Sequence, residues 1–177
     1  MTMLLSIILG FNIAGADPVL LKNGREIFAS YASITGLSEK DTELKELYRL
    51  NADRFPKLGQ PEELSNSVIL ASTELGGAFC SRTVLREKDQ SRGQRILFSD
   101  VDFKQGPSQF RGFSGEKLLS QLALAYWQRN LQEPERQSLL MTVDKTIRAG
   151  TDTPQDTLKF LQVICTVYAT SLSFLSK

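Results

Sequence analysis

Two cysteines far apart in the chain, Cys80 and Cys165, and no histidine anywhere constrain this sequence more than any other feature. Losing imidazole removes the commonest general base, the commonest metal ligand and the usual haem ligand together. The cysteines form no Cys-x-x-Cys motif and have no nearby base to lower a thiol pKa, which disfavours thiol catalysis. Two sulfurs without imidazole do not make a zinc site. Cys165 falls on a stripe of Leu158, Leu161, Tyr168, Leu172 and Leu175 at helical spacing. Cys80 lies one residue past the stripe Ala71, Leu75, Ala78, Phe79 and Arg82. If the two helices pack antiparallel, the sulfurs meet once their Cα atoms come within about 7 Å. Such a bridge restricts the unfolded chain by on the order of 4 kcal/mol. The alternatives are two reduced thiols packed as small apolar residues, or a redox pair.

A leader accompanies the cysteines. Met3 to Ile13 is mostly apolar, far shorter than the ~20 residues that span a bilayer. Ala14-Gly15-Ala16 then offers small residues at the two positions a signal peptidase reads. The expected organisation is a signal peptide over 1–16, cleaved near Ala16, and one helical domain over 17–177, periplasmic or extracellular. A core helix at the amino end is the competing reading, since no Lys or Arg precedes the apolar run. No later stretch is apolar enough to span a membrane, and an exported chain reaches a compartment where disulfides persist.

Charge narrows the partners. The 21 basic and 20 acidic side chains leave a net charge of +1, so no broad field steers the chain toward nucleic acid or an anionic membrane.

The periodicity is helical throughout. Asn23, with Glu26 as its capping-box partner, opens a first helix that Gly36 stops. Ser38 is expected to cap a second, closed by Phe55-Pro56. A third runs within Pro61 to Leu85, starting near Ser65 or Ser67, with Gly76-Gly77 admitting a neighbouring helix or marking a kink. Ser114 opens a fourth, Glu133-Pro134 a fifth, and Thr153-Pro154-Gln155-Asp156 a sixth carrying the Cys165 stripe to Leu175. With no hairpin signal, the fold class is all-α: a single compact domain of about six helices with one long aromatic-rich loop.

That loop, Ser91 to Gly115, loses helical period and is read as a long ordered loop pinned by Phe98, Phe103, Phe110 and Phe113, with a short extended piece through Ile96, Phe98, Val101 and Phe103 as the alternative. Loops of this length are often functional. Phe98, Phe103, Phe110, Arg111 and Phe113 are therefore the expected partner-binding residues. Trp127, Arg129 and Glu135 are expected to be structural, Arg129 reaching Glu133 or Glu135 across a short connection. The run Arg82, Arg86, Lys88, Arg92 and Arg95 is read as a solvated basic face. The pairs Asp100/Asp102, Glu133/Glu135 and Asp152/Asp156 sit in no hydrolase or calcium motif. No catalytic residue, metal ligand or cofactor is expected.

Four segments, "GGAFC", "RILFSDVDFKQGP", "LALAYWQRNLQEPE" and "VICTVYATSLSFL", together resemble a group of exported helical bacterial proteins. Those carry two separated cysteines and a Trp-x-Arg…Glu segment and have no assigned reaction. The resemblance implies export, helicity and Cys80–Cys165 pairing, and says nothing of catalysis. The expected role is a non-catalytic structural or protein-interaction module of the bacterial envelope or cell surface, partnered by another envelope or surface protein. The alternatives are a glycan or peptidoglycan hydrolase using carboxylates alone and a small apolar-ligand carrier.

Overall fold

The structure is a computed structural model that describes residues 21–57 and 64–176. The expected leader lies outside these residues. Within them the chain forms α1 (Gly24–Thr35), α2 (Thr42–Asn51), α3 (Asn66–Lys88), α4 (Phe113–Trp127), α5 (Glu133–Ala149), α6 (Pro154–Ala169) and α7 (Leu172–Leu175). No strand forms among the described residues; one isolated antiparallel bridge joins Leu21 to Ser176. The architecture is all-α, with the loop between α3 and α4 broken only by single 3₁₀ turns at Arg92–Gln94 and Pro107–Phe110.

Helix starts follow local chemistry. The Asn23 side chain accepts from the Arg25 and Glu26 amides at 3.0 and 3.1 Å, while Glu26 accepts from the Asn23 amide at 2.8 Å, completing a capping box. Thr153 and Asp156 form the equivalent pair at α6. Several boundaries differ from expectation: α4 begins at Phe113 behind Gly112, ahead of Ser114, and α3 runs past Leu85 to Lys88. The cap of α2 is Asp41, whose carboxylate accepts from the Glu43 and Leu44 amides, whereas the Ser38 hydroxyl takes only the Lys40 amide. The last helix stops at Ala169 and resumes as α7. Thr170 and Ser171 donate their hydroxyls to the Thr166 and Tyr168 carbonyls, offering the backbone a local alternative to helix.

The long helix α3 is the spine. It packs most extensively against α6, and also against α1 and α2. Being flanked on several sides, it buries residues around its girth, from Val68 through Phe79 to Val84. Gly76 is where the neighbours come closest: a Cβ there would stand 3.1 Å from both the Ala169 Cβ and the Tyr31 hydroxyl. Gly77 meets only Thr166 at ordinary distance, so the close approach rests on one glycine of the pair. Tyr31 donates to the Ala169 carbonyl at 2.8 Å, tying α1 to α6 at this crossing.

Cys80 and Cys165 are disulfide-bonded, with Cα atoms 5.7 Å apart. Both are fully buried in the α3–α6 seam. The Tyr126 hydroxyl of α4 lies 3.2 Å from the Cys165 sulfur, and burial pushes that phenol's pKa well up.

Candidate functional site

The loop from α3 to α4 is held from inside by a carboxylate. Glu87, in the last turn of α3, is completely buried. Its Oε1 accepts from the Ile96 and Leu97 amides at 3.0 and 3.1 Å, and its Oε2 from the Phe98 amide at 2.9 Å. Three successive backbone donors thus converge on one side chain, which satisfies a stretch that has no helix or sheet to do so. Further along, Gln109 accepts from the Asp102 amide and donates back to the Asp102 carbonyl. Asp152 accepts from the Ser108 amide and hydroxyl at 2.9 and 2.6 Å.

This anchoring corrects the expected contact surface. Phe98, Phe103 and Phe110 belong to the core; Phe110 stacks on Phe160 of α6, with ring centroids 5.1 Å apart. A long loop without backbone ladders needs apolar anchors, and these three rings are used inward. Arg111 and Phe113 alone of the five remain exposed, Phe113 at 80%. They stand at the corner where the loop enters α4, turned through Gly112 at φ 64° and ψ −132°, a conformation open essentially to glycine.

The basic run also reads differently in three dimensions. Arg82 pairs with Asp41 and Glu43 of α2. Arg86 donates to the Thr35 and Gly36 carbonyls at 2.6 and 2.9 Å, closing the end of α1. Arg95 donates to the Gln90 and Val101 carbonyls and lies over the Phe103 ring. Three of the five cations are therefore brackets between elements, because their neighbours offer carbonyls and carboxylates at the reach of a guanidinium.

Trp127, Arg129 and Glu135 are brought together at the far end of α4. Arg129 makes a two-pronged pair with Glu135 at 2.7 and 2.8 Å and lies over the Trp127 ring. The indole donates to the Ser171 hydroxyl at 2.6 Å. Glu135 also accepts from the Gln132 amide, so one carboxylate joins the α4–α5 turn to the start of α5. Arg129 holds the Glu135 carboxyl below its usual range.

Beside the Phe113 corner opens a cleft of about 450 Å³. Val101, Phe110 and Leu118 form its apolar floor; Asp100, Asp102, Arg92 and Lys117 stand on its walls. Lys117 is 3.0 Å from Asp100, and Gln121 donates to the same carboxylate at 2.9 Å. These partners hold Asp100 below its usual pKa, and the Lys104 amide together with Gln105 does so for Asp102. A hydrolytic pair needs one carboxyl raised enough to carry a proton near neutrality. These two are stabilised as anions, so they are suited to accept hydrogen bonds. No group of three or more metal-binding side chains occurs among the described residues, and no described helix is long and apolar enough to cross a membrane. Compared with protein-family models, curated proteins and solved structures, the chain matches none.

The carboxyls of Glu46, Asp100, Asp102, Glu133, Glu135, Asp152 and Asp156 are each held below their usual pKa range by the donors and cations beside them. Such a group contributes fully above its unfolded pKa of about 4 and loses that contribution as pH falls from there through its lower folded pKa. Buried Tyr31, Tyr126 and Tyr168 are shifted up, so stability falls only as pH rises past about 10, where the unfolded phenols ionise. With no histidine and no free cysteine, thermal melts should give a flat midpoint from about pH 5 to pH 9 and a decline below about pH 4. Glu135→Gln should lower the midpoint at neutral pH and leave it nearly unchanged at pH 2. A step near pH 6.5 would contradict this account.

Proposed function

We propose that the protein is an exported, non-catalytic interaction module of the bacterial envelope or cell surface, docking another envelope or surface protein through the corner formed by Arg111 and Phe113. One observation carries the reading. A loop that turns three phenylalanines inward leaves a fourth, Phe113, almost fully in solvent beside an arginine and an open cleft. Aromatic and arginine side chains are the residue types that dominate interface energies. The disulfide supports export, because such bonds persist in oxidising compartments. The lowered pKa values of Asp100 and Asp102 speak for binding over acid–base hydrolysis at this cleft. The clefts open to the surface, which argues against an enclosed apolar carrier.

The test is a photoreactive amino acid placed at position 113 and, separately, at exposed Leu50 on α2. In envelope fractions, position 113 should give a discrete cross-linked species that position 50 does not. Equal labelling from both positions removes the corner from consideration.

A further inference from the structure

The cleft beside Phe113 carries chemistry of its own. Its walls present two carboxylates, Asp100 and Asp102, and two cations, Arg92 and Lys117, so its formal charge cancels. Free hydrogen-bonding capacity of both kinds remains. Asp100 uses Oδ2 for Gln121, Lys117 and the Ser99 hydroxyl, and among the described residues none donates to its Oδ1. The Asp102 oxygens each receive one donor, from the Lys104 amide and from Gln105, and each carboxylate oxygen can accept two. Among the described residues, the Arg92 guanidinium and the Ser114 hydroxyl engage no hydrogen-bond acceptor. The floor is apolar, and an exposed aromatic ring stands at the rim.

Ligand classes separate on this arrangement. A phosphate or other anion would face two carboxylates held in their charged form. A divalent cation would face Arg92 and Lys117. An apolar molecule would strip water from four charged groups and return no hydrogen bonds. A neutral polyhydroxylated molecule meets none of these costs. Each hydroxyl both donates and accepts, so neighbouring hydroxyls can give to Asp100 or Asp102 and receive from Arg92, Lys117 or Ser114. Its C–H face can lie on the Phe113 ring. The volume, about 450 Å³, is within the range of small-molecule sites.

We infer that this cleft is a binding site for a neutral oligosaccharide, held by Asp100, Asp102, Arg92 and Lys117 and covered on one side by Phe113. The inference rests on reading the Phe113 corner as the working surface, and it goes beyond that reading by placing an oligosaccharide in the cleft beside the protein partner docked there.

Cellotriose, maltotriose and triacetylchitotriose, with inorganic phosphate as the charged comparison, are titrated into the full disulfide-bonded chain by calorimetry and by NMR. At least one trisaccharide should bind at or below about 10 mM and phosphate should not. Phe113→Ala and Asp100→Asn should each weaken that binding by about tenfold or more, while Leu50→Ala leaves it unchanged. Phe113 and Asp100 are exposed, so unchanged circular dichroism is expected of both variants, with unchanged melting for Phe113→Ala and only a small fall for Asp100→Asn, which loses its pair with Lys117; a native spectrum confirms that binding was lost without the fold. No response to any trisaccharide, equal binding of phosphate, or binding that survives Phe113→Ala overturns the inference. If the sugars fail while position 113 still gives a discrete, protease-sensitive cross-link, the corner docks protein and the oligosaccharide alone is withdrawn. If both fail, both readings fall.

Discussion

Replacing Glu87 with alanine should destabilise the protein by on the order of 4 kcal/mol, because two buried amides and a partly buried third lose their acceptor at once. The Ile96, Leu97 and Phe98 N–H groups have no alternative partner in the loop. Water can satisfy them only if the segment leaves the core and takes fully buried Phe98 with it. For a chain of this size the expected fall in melting midpoint is about 10 °C. Glu87→Gln keeps the volume and one acceptor oxygen but points an NH₂ at a backbone N–H, so it should cost roughly half as much. Urea unfolding measures the loss, and hydrogen exchange at residues 96 to 98 locates it. A loss under about 1 kcal/mol for the alanine variant would show that the carboxylate is not the anchor. The consequence reaches the cleft, since Val101 and Asp102 follow directly on the anchored segment.

Removing the disulfide is the second large effect. The bond closes a loop of 85 residues between the spine and α6, which in the chain-entropy treatment corresponds to about 4 to 5 kcal/mol. Cys80→Ala/Cys165→Ala should therefore unfold at markedly lower urea with little change in the folded structure. Because both sulfurs are inaccessible to solvent, dithiothreitol should leave the native bond intact and reduce it readily once urea opens the fold. Mass spectrometry after alkylation reads both outcomes. Reduction of the native protein as fast as of the unfolded chain would contradict the buried position. A double variant within about 1 kcal/mol of the parent would show that the constraint contributes little.

Legibility varied with how far each signal reached along the chain. The Asn23–Glu26 and Thr153–Asp156 boxes are visible in four residues, and α1 and α6 begin where those boxes place them. The cysteine pair was legible because Cys165 falls on a helical stripe and Cys80 lies one residue past another, close enough for packing to turn it toward α6. Phe98, Phe103 and Phe110 pin the loop from inside and are not part of an exposed contact surface, a choice the sequence left open because an irregular segment has no period and nothing local says which way a ring points. Glu87 stands in sequence between Arg86 and Lys88, where it looks like one more charge on a solvated face. A signal existed, since Cys80, Val84 and Glu87 follow one helical face, and an acid on an apolar face calls for donors. What could not be read was where those donors lie, nine to eleven residues downstream in the loop. The cleft was likewise invisible, because Arg92, Asp100 and Lys117 are adjacent only after the loop folds back on α4.

The chain has a single tryptophan, and α4 places it at the opposite end from Phe113, about 20 Å away along 15 residues. Its emission therefore reports the Arg129–Glu135–Ser171 junction and stays blind to whatever occupies the other end. Fluorescence can follow unfolding over a series of ligand concentrations without interference from the ligand itself, and the rise in unfolding midpoint with concentration reports the affinity without any label.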